Sequence, residues 1–128
     1  MMLKDAYTFN SFSTNDLKAT KRFYQEILGL HVVENEMGIL EIQAAGSNKF
    51  VIYPKGTNHQ PANFTVLNFE VKEIERVVDQ LIAKGITFEQ YQEPIKTDEK
   101  GICWQENSPT IAWFKDPAGN ILSLIEEK

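Results

Sequence analysis

One cysteine, two histidines and no long apolar run leave this 128-residue chain with few of the usual handles for chemistry. The single thiol, Cys103, excludes an internal disulfide and a cysteine zinc cluster. No stretch approaches the roughly 20 apolar residues that span a bilayer, so a membrane is not an expected partner. The opening MMLKDAY lacks the apolar centre of a signal peptide, and a cytoplasmic protein is the expectation. Positive charge is also scarce: 13 Lys and Arg stand against 18 Asp and Glu, a net −5. That balance argues against nucleic acid, because phosphate binding rests on clustered cations. No Gly-rich phosphate loop, GxSxG elbow or HExxH pair occurs, so those chemistries have no foothold. What is present is ordinary globular composition, 42% hydrophobic and 24% charged. The length suits one compact domain that buries a core without disulfides or metal staples.

Two segments have helical periodicity. Leu17, Thr20, Phe23, Tyr24, Ile27 and Leu28 recur at spacings of three and four, with Asn15 or Asp16 able to cap the start and Gly29 to end it. Ile74, Val77, Val78, Leu81 and Ile82 make a second stripe, stopped by Gly85. Strand signals lead in as YTFNSFS (7 to 13) and FTVLNFEV (64 to 71). HVVENE, GILEIQA and KFVIYP follow the first helix; ITFEQYQ, GICWQE, IAWFK and ILSLIE follow the second. Turn residues separate them at Met37-Gly38, Ala45 to Asn48, Asn107-Ser108-Pro109 and Asp116 to Gly119.

The order is strand, helix, strands, twice over: a module at about 6–54, a linker at about 55–62 and a module at about 63–128, within a single domain. Lys96 to Gly101 is a polar excursion that reads as a mobile loop.

Two βαβββ modules, the segment DLKATKRFYQEILGL and the ending FKDPAGNILSLIE together resemble the vicinal oxygen chelate superfamily, which includes glyoxalase I, bleomycin-resistance and extradiol dioxygenase proteins. The resemblance covers nearly the whole chain. It implies an α+β fold in which two βαβββ modules form curled mixed sheets around a cleft, often with two chains associating. In the family's enzymes a divalent metal sits in that cleft, held by His and Glu on matching strands. It leaves open positions where two adjacent substrate oxygens chelate. In this chain the matching positions fall on Phe9, Val66, Ser123 and either Ile52 or Tyr53, none a usual ligand for such an ion. No metal and no cofactor is therefore expected.

The remaining polar groups have ordinary readings. His31 fits a sheet edge, and His59 fits a solvated linker unless it overhangs the cleft mouth. Glu34, Glu36 and Glu41 alternate with apolar residues and would face water. Glu70 shares parity with Val66 and Asn68 and could face the cleft rim. Cys103 has no neighbouring base to favour its thiolate. Trp104 and Trp113 could each be an aromatic wall or core. Ser11 and Asn68 are the candidates for orienting a ligand, since buried polar groups need partners.

The expectation is thus a metal-free small-molecule-binding protein, a homodimer, acting by sequestration or sensing. Its cleft would be lined by Phe9, Ser11, Tyr53, Val66, Asn68, Trp104 and Ser123. The rivals are a lyase, isomerase or dioxygenase with displaced ligands such as His59, Glu70 or Glu41, and a pure dimerisation module.

Overall fold

The computed structural model describes residues 2–106 and 108–127. The chain folds as two compact units that meet in sequence at Gln60 and Pro61. Each is a βαβββ module carrying a four-stranded mixed sheet.

The first module runs β1 (Asn10–Thr14), α1 (Leu17–Arg22), β2 (His31–Glu34), β3 (Leu40–Gln43) and β4 (Phe50–Pro54), with sheet order β1-β4-β3-β2. Only β1 and β4 are parallel. Asp16 caps α1, its carboxylate accepting from Ala19 N at 3.0 Å. The helix continues as a π-helical turn over Phe23–Ile27, where Leu28 N donates to Phe23 O at 3.0 Å. That turn rotates Phe23 and Tyr24 inward, and both are buried. Tyr24 meets Phe50 with ring centroids 6.0 Å apart, and Phe12 stacks on Phe50 at 5.9 Å. Leu40, Ile42 and Ile52 complete a core with no exposed surface. Beside it, Thr14 and Thr20 satisfy each other's buried hydroxyls at 2.8 Å.

The second module runs β5 (Thr65–Glu70), α2 (Ile74–Ala83), β6 (Ile102–Cys103), β7 (Thr110–Lys115) and β8 (Ile121–Glu126), in sheet order β5-β8-β7-β6. Ile74, Val78 and Leu81 of α2, together with Leu122, Leu124, Ala112 and Phe114 of the sheet, form the buried core. The start of α2 is capped from a distance. Glu73, at the N-cap, has φ 53° and offers no side-chain cap, while Glu126 at the end of β8 accepts from Glu73 N at 3.2 Å and Ile74 N at 2.9 Å. A carboxylate there also faces the positive end of the helix dipole. Glu126→Ala is expected to lower stability by about 1–2 kcal/mol, read as a lower urea midpoint at constant slope.

Three expectations need correction. Ile86 to Gln92 alternates like a strand but forms none; its tie to the sheet is Glu89 N to Trp113 O at 2.8 Å. Lys96 to Gly101 is a tightly hydrogen-bonded turn of chain rather than a loose loop. The first strand starts at Asn10 instead of Tyr7, which leaves Phe9 ahead of the ladder. The expected turn at Asn107-Ser108-Pro109 lies partly outside the described residues, at Asn107.

Candidate functional site

Each sheet has one face built into the core and an opposite face that no helix of its own module covers, and strand alternation assigns side chains between them. In the first module, register sets Ser11, Val51, Glu41 and Val33 in one row across the helix-free face, with Ser13 and Tyr53 paired in the next. Glu41 is engaged there: Lys49 Nζ lies 3.4 Å from its Oε1 and Asn35 Nδ2 3.4 Å from its Oε2. Val33 is 46% exposed and Phe9 56%. His59, expected in a solvated linker, is instead half-buried, with Nδ1 2.7 Å from Ser13 Oγ. The reason is non-local: a short 3₁₀ turn over Gly56–Asn58 brings the ring back to β1, 46 positions away.

In the second module the rows are Asn68, Ser123 and Trp113, then Glu70, Ile125, Ile111 and Cys103. The Ser123 hydroxyl, fully buried, donates to Asn68 Oδ1. Asn68 is exposed, and with its oxygen engaged the group it presents is the amide NH2, a donor. Trp113 is half-buried and meets Tyr91 edge to face, ring centroids 5.4 Å apart. Burial, and then the charge of Glu89, push the Tyr91 phenol above its ordinary value, so it stays a neutral hydroxyl. Glu89 itself pairs with Lys115 at 3.7 Å.

Not every candidate residue joins these rows. A bulge shifts the register between Thr65 and Leu67, at Val66, so the parity linking Val66 to Asn68 does not hold across it. Trp104 follows the end of β6, is 54% exposed, and donates its indole N–H to Asp98 Oδ2 at 2.9 Å. Cys103 lies on the row with Ile111 and is buried. Tyr91 and Ser13 are absent from the sequence expectations: Ser13 was legible from its parity with Ser11, whereas Tyr91 reaches the sheet through irregular chain.

The residues that the resemblance sets at ligand positions do not supply the usual donors for a divalent ion. Phe9 and Val66 carry no donor atom, Ile52 is buried in the core with none, and Ser123 is committed to Asn68. Tyr53, the neighbouring alternative, offers a single phenolic oxygen, not a usual ligand for such an ion. Among the described residues no three His, Cys, Asp or Glu side chains gather into a group that could hold a metal. A shallow depression beside α1 involves Leu17, Lys21, Arg22 and Glu34. Its charges pair among neighbours, Lys21 with Glu34 at 3.6 Å and Arg22 with Glu26 at 3.5 Å. Among the described residues no helix is long and apolar enough to cross a membrane.

No curated protein matches the chain by sequence. Solved structures do match in fold. TnmS3, an antibiotic binding protein from Streptomyces sp. CB03234, is 17% identical with a TM-score of 0.74, covering 100% of both chains. Lactoylglutathione lyase from Agrobacterium tumefaciens is 19% identical with a TM-score of 0.68, covering 97% of this chain and 95% of its own. Virulence protein STM3117 from Salmonella typhimurium is 22% identical at 0.66, covering 99% of this chain and 100% of its own. Residues 8–124 match the model of the Glyoxalase/Bleomycin resistance protein/Dioxygenase superfamily, and the chain belongs to that family.

Proposed function

We propose that this protein binds a small organic molecule on the helix-free side of its sheets without a metal, and acts by sequestration or sensing. The observation that carries this is the row Asn68, Ser123 and Trp113. It sets a half-buried aromatic wall beside a braced amide donor, and it includes Ser123, one of the positions that the resemblance assigns to a metal ligand. A surface of this kind takes a planar ligand bearing a hydrogen-bond acceptor. The first module supplies a comparable face with Phe9, Ser11 and Tyr53. Of the other expected lining residues, Val66 sits at the bulge beside the second module's row and Trp104 follows Cys103 off the end of β6. The antibiotic binding by TnmS3 is consistent with such a role. A cytoplasmic location and a homodimer belong to the same proposal.

The rival metalloenzyme reading draws on His59, Glu70 and Glu41. Two of these are already engaged, His59 Nδ1 by Ser13 and Glu41 by Lys49.

The test is a thermal-unfolding screen of chelator-treated protein against planar aromatic antibiotics and metabolites. A true ligand at roughly 100 times its Kd adds about 2.7 kcal/mol and raises the midpoint by several degrees. Trp113→Leu should weaken that ligand roughly tenfold. A response that appears only after Zn, Ni, Mn or Fe is restored would refute the metal-free reading. No response from any compound would favour the dimerisation module.

A further inference from the structure

Between α2 and β6 the chain is irregular, yet it is among the most heavily tied segments of the molecule. Three sets of bonds fasten it. On the outer side, Lys100 Nζ sits between Glu75 Oε2 at 3.0 Å and Asp79 Oδ1 at 2.9 Å, two carboxylates four residues apart on α2. In the middle, the Asp98 carboxylate accepts from Lys100 N at 2.8 Å, Ile102 N at 2.9 Å and Trp104 Nε1 at 2.9 Å. Burial works against the charged form of Asp98, but those bonds and the Lys100 charge outweigh it, and the carboxyl stays below its ordinary range. On the inner side, Tyr91 N donates to Thr97 Oγ1 at 2.8 Å and Thr97 N to Tyr91 O at 3.2 Å, while Gln90 Nε2 donates to Glu99 O at 2.7 Å.

The inner bonds end on the residue whose ring meets Trp113. Tyr91 has no place in a strand, so no sheet ladder orients it; the backbone bonds that hold it run to Thr97. The same stretch is pinned to the sheet two residues earlier, through Glu89 N to Trp113 O.

We infer that residues 97–101 are a strap, buckled to α2 through Lys100, that holds the Tyr91 ring against Trp113 and so sets how much of the Trp113 face a ligand can reach. Tyr91 is then a specificity-determining residue, and Lys100 and Thr97 are positioning residues that act through it. The ligand-facing consequence rests on the binding function proposed above, but the mechanical part does not. Because the buckle is made of partly exposed ion pairs, salt weakens it.

The experiment needs no ligand, so its failure is separate from a failure of the binding screen. The 128-residue chain is labelled with fluorotryptophan; its two tryptophans give two fluorine NMR signals, assigned with Trp104→Phe. The solvent isotope shift of the Trp113 signal reports exposure of its ring. Tyr91→Ala should raise that exposure strongly. Lys100→Met and Thr97→Val should move it part of the way, with the open fraction increasing about two- to five-fold, the range set by losing exposed ion pairs or one such bond. Added salt should move the parent protein in the same direction and leave Lys100→Met unmoved. If Tyr91→Ala leaves the Trp113 signal unchanged, the ring does not cover Trp113 and the inference fails. If Tyr91→Ala responds while Lys100→Met and Thr97→Val match the parent, Tyr91 is held without the strap and the inference also fails. Lys100 and Thr97 lie outside the buried core, and a parent-like far-ultraviolet circular dichroism spectrum with an unchanged urea slope confirms that a variant remains folded.

Discussion

Replacing Asp116 with Ala should cost about 3–5 kcal/mol, a large share of the 5–15 kcal/mol typical of a folded domain. Asp116 is only 4% exposed and organises the turn between β7 and β8. Its Oδ1 accepts from Ala118 N at 3.0 Å and Asn120 N at 2.9 Å, and its Oδ2 from Asn120 Nδ2 at 3.0 Å. Ala118 and Asn120 are themselves buried, so truncation strands donors that water cannot reach. Asp116→Asn should be damaging too, because the introduced NH2 cannot accept from the donors that face it. Urea unfolding should show a lower midpoint with unchanged slope for both, and a loss under about 1 kcal/mol for Asp116→Ala would show that the turn does not depend on this carboxylate.

Gly101→Ala is the second large effect, about 2–4 kcal/mol. Gly101 has φ 88°, and a Cβ there would stand 2.6 Å from Phe88 Cβ and 2.9 Å from Glu89 O. Neither obstacle is a flexible side-chain tip, so the strap or the Phe88 backbone must shift. Gly85→Ala supplies the control. Gly85 has φ 99° but no atom within 4 Å of the added carbon, so it reads the conformational cost alone, about 1 kcal/mol. Equal losses at the two positions would mean that close packing at Gly101 contributes nothing.

The helices and the closing hairpin were legible because they follow from local rules. The period of Ile74, Val78 and Leu81, the Asp16 cap and the DPAG turn each involve residues within a few positions of one another. The misreadings concern partners far apart in sequence. ITFEQYQ has the alternation of a strand, but alternation specifies a face and supplies no ladder partner, and this segment meets β7 through Glu89 N to Trp113 O without forming a strand. The bulge at Val66 leaves no composition signal, as no Gly marks it. His59 reaches Ser13 across 46 positions, and Glu126 caps a helix 52 positions before it. For the candidate site, Asn68 and Ser123 could be found because parity carries across paired strands. Tyr91 could not, since irregular chain has no parity.

The most direct measurement is amide NMR of labelled, chelator-treated protein titrated with a compound that raises its unfolding midpoint. Binding on the helix-free faces should shift signals from Asn68, Trp113, Ser123 and Tyr91, and from Ser11 and Tyr53 if the first face takes part, with no dependence on added metal. Shifts confined to the outer surfaces of α1 and α2, or shifts that appear only when a divalent cation is supplied, would contradict it.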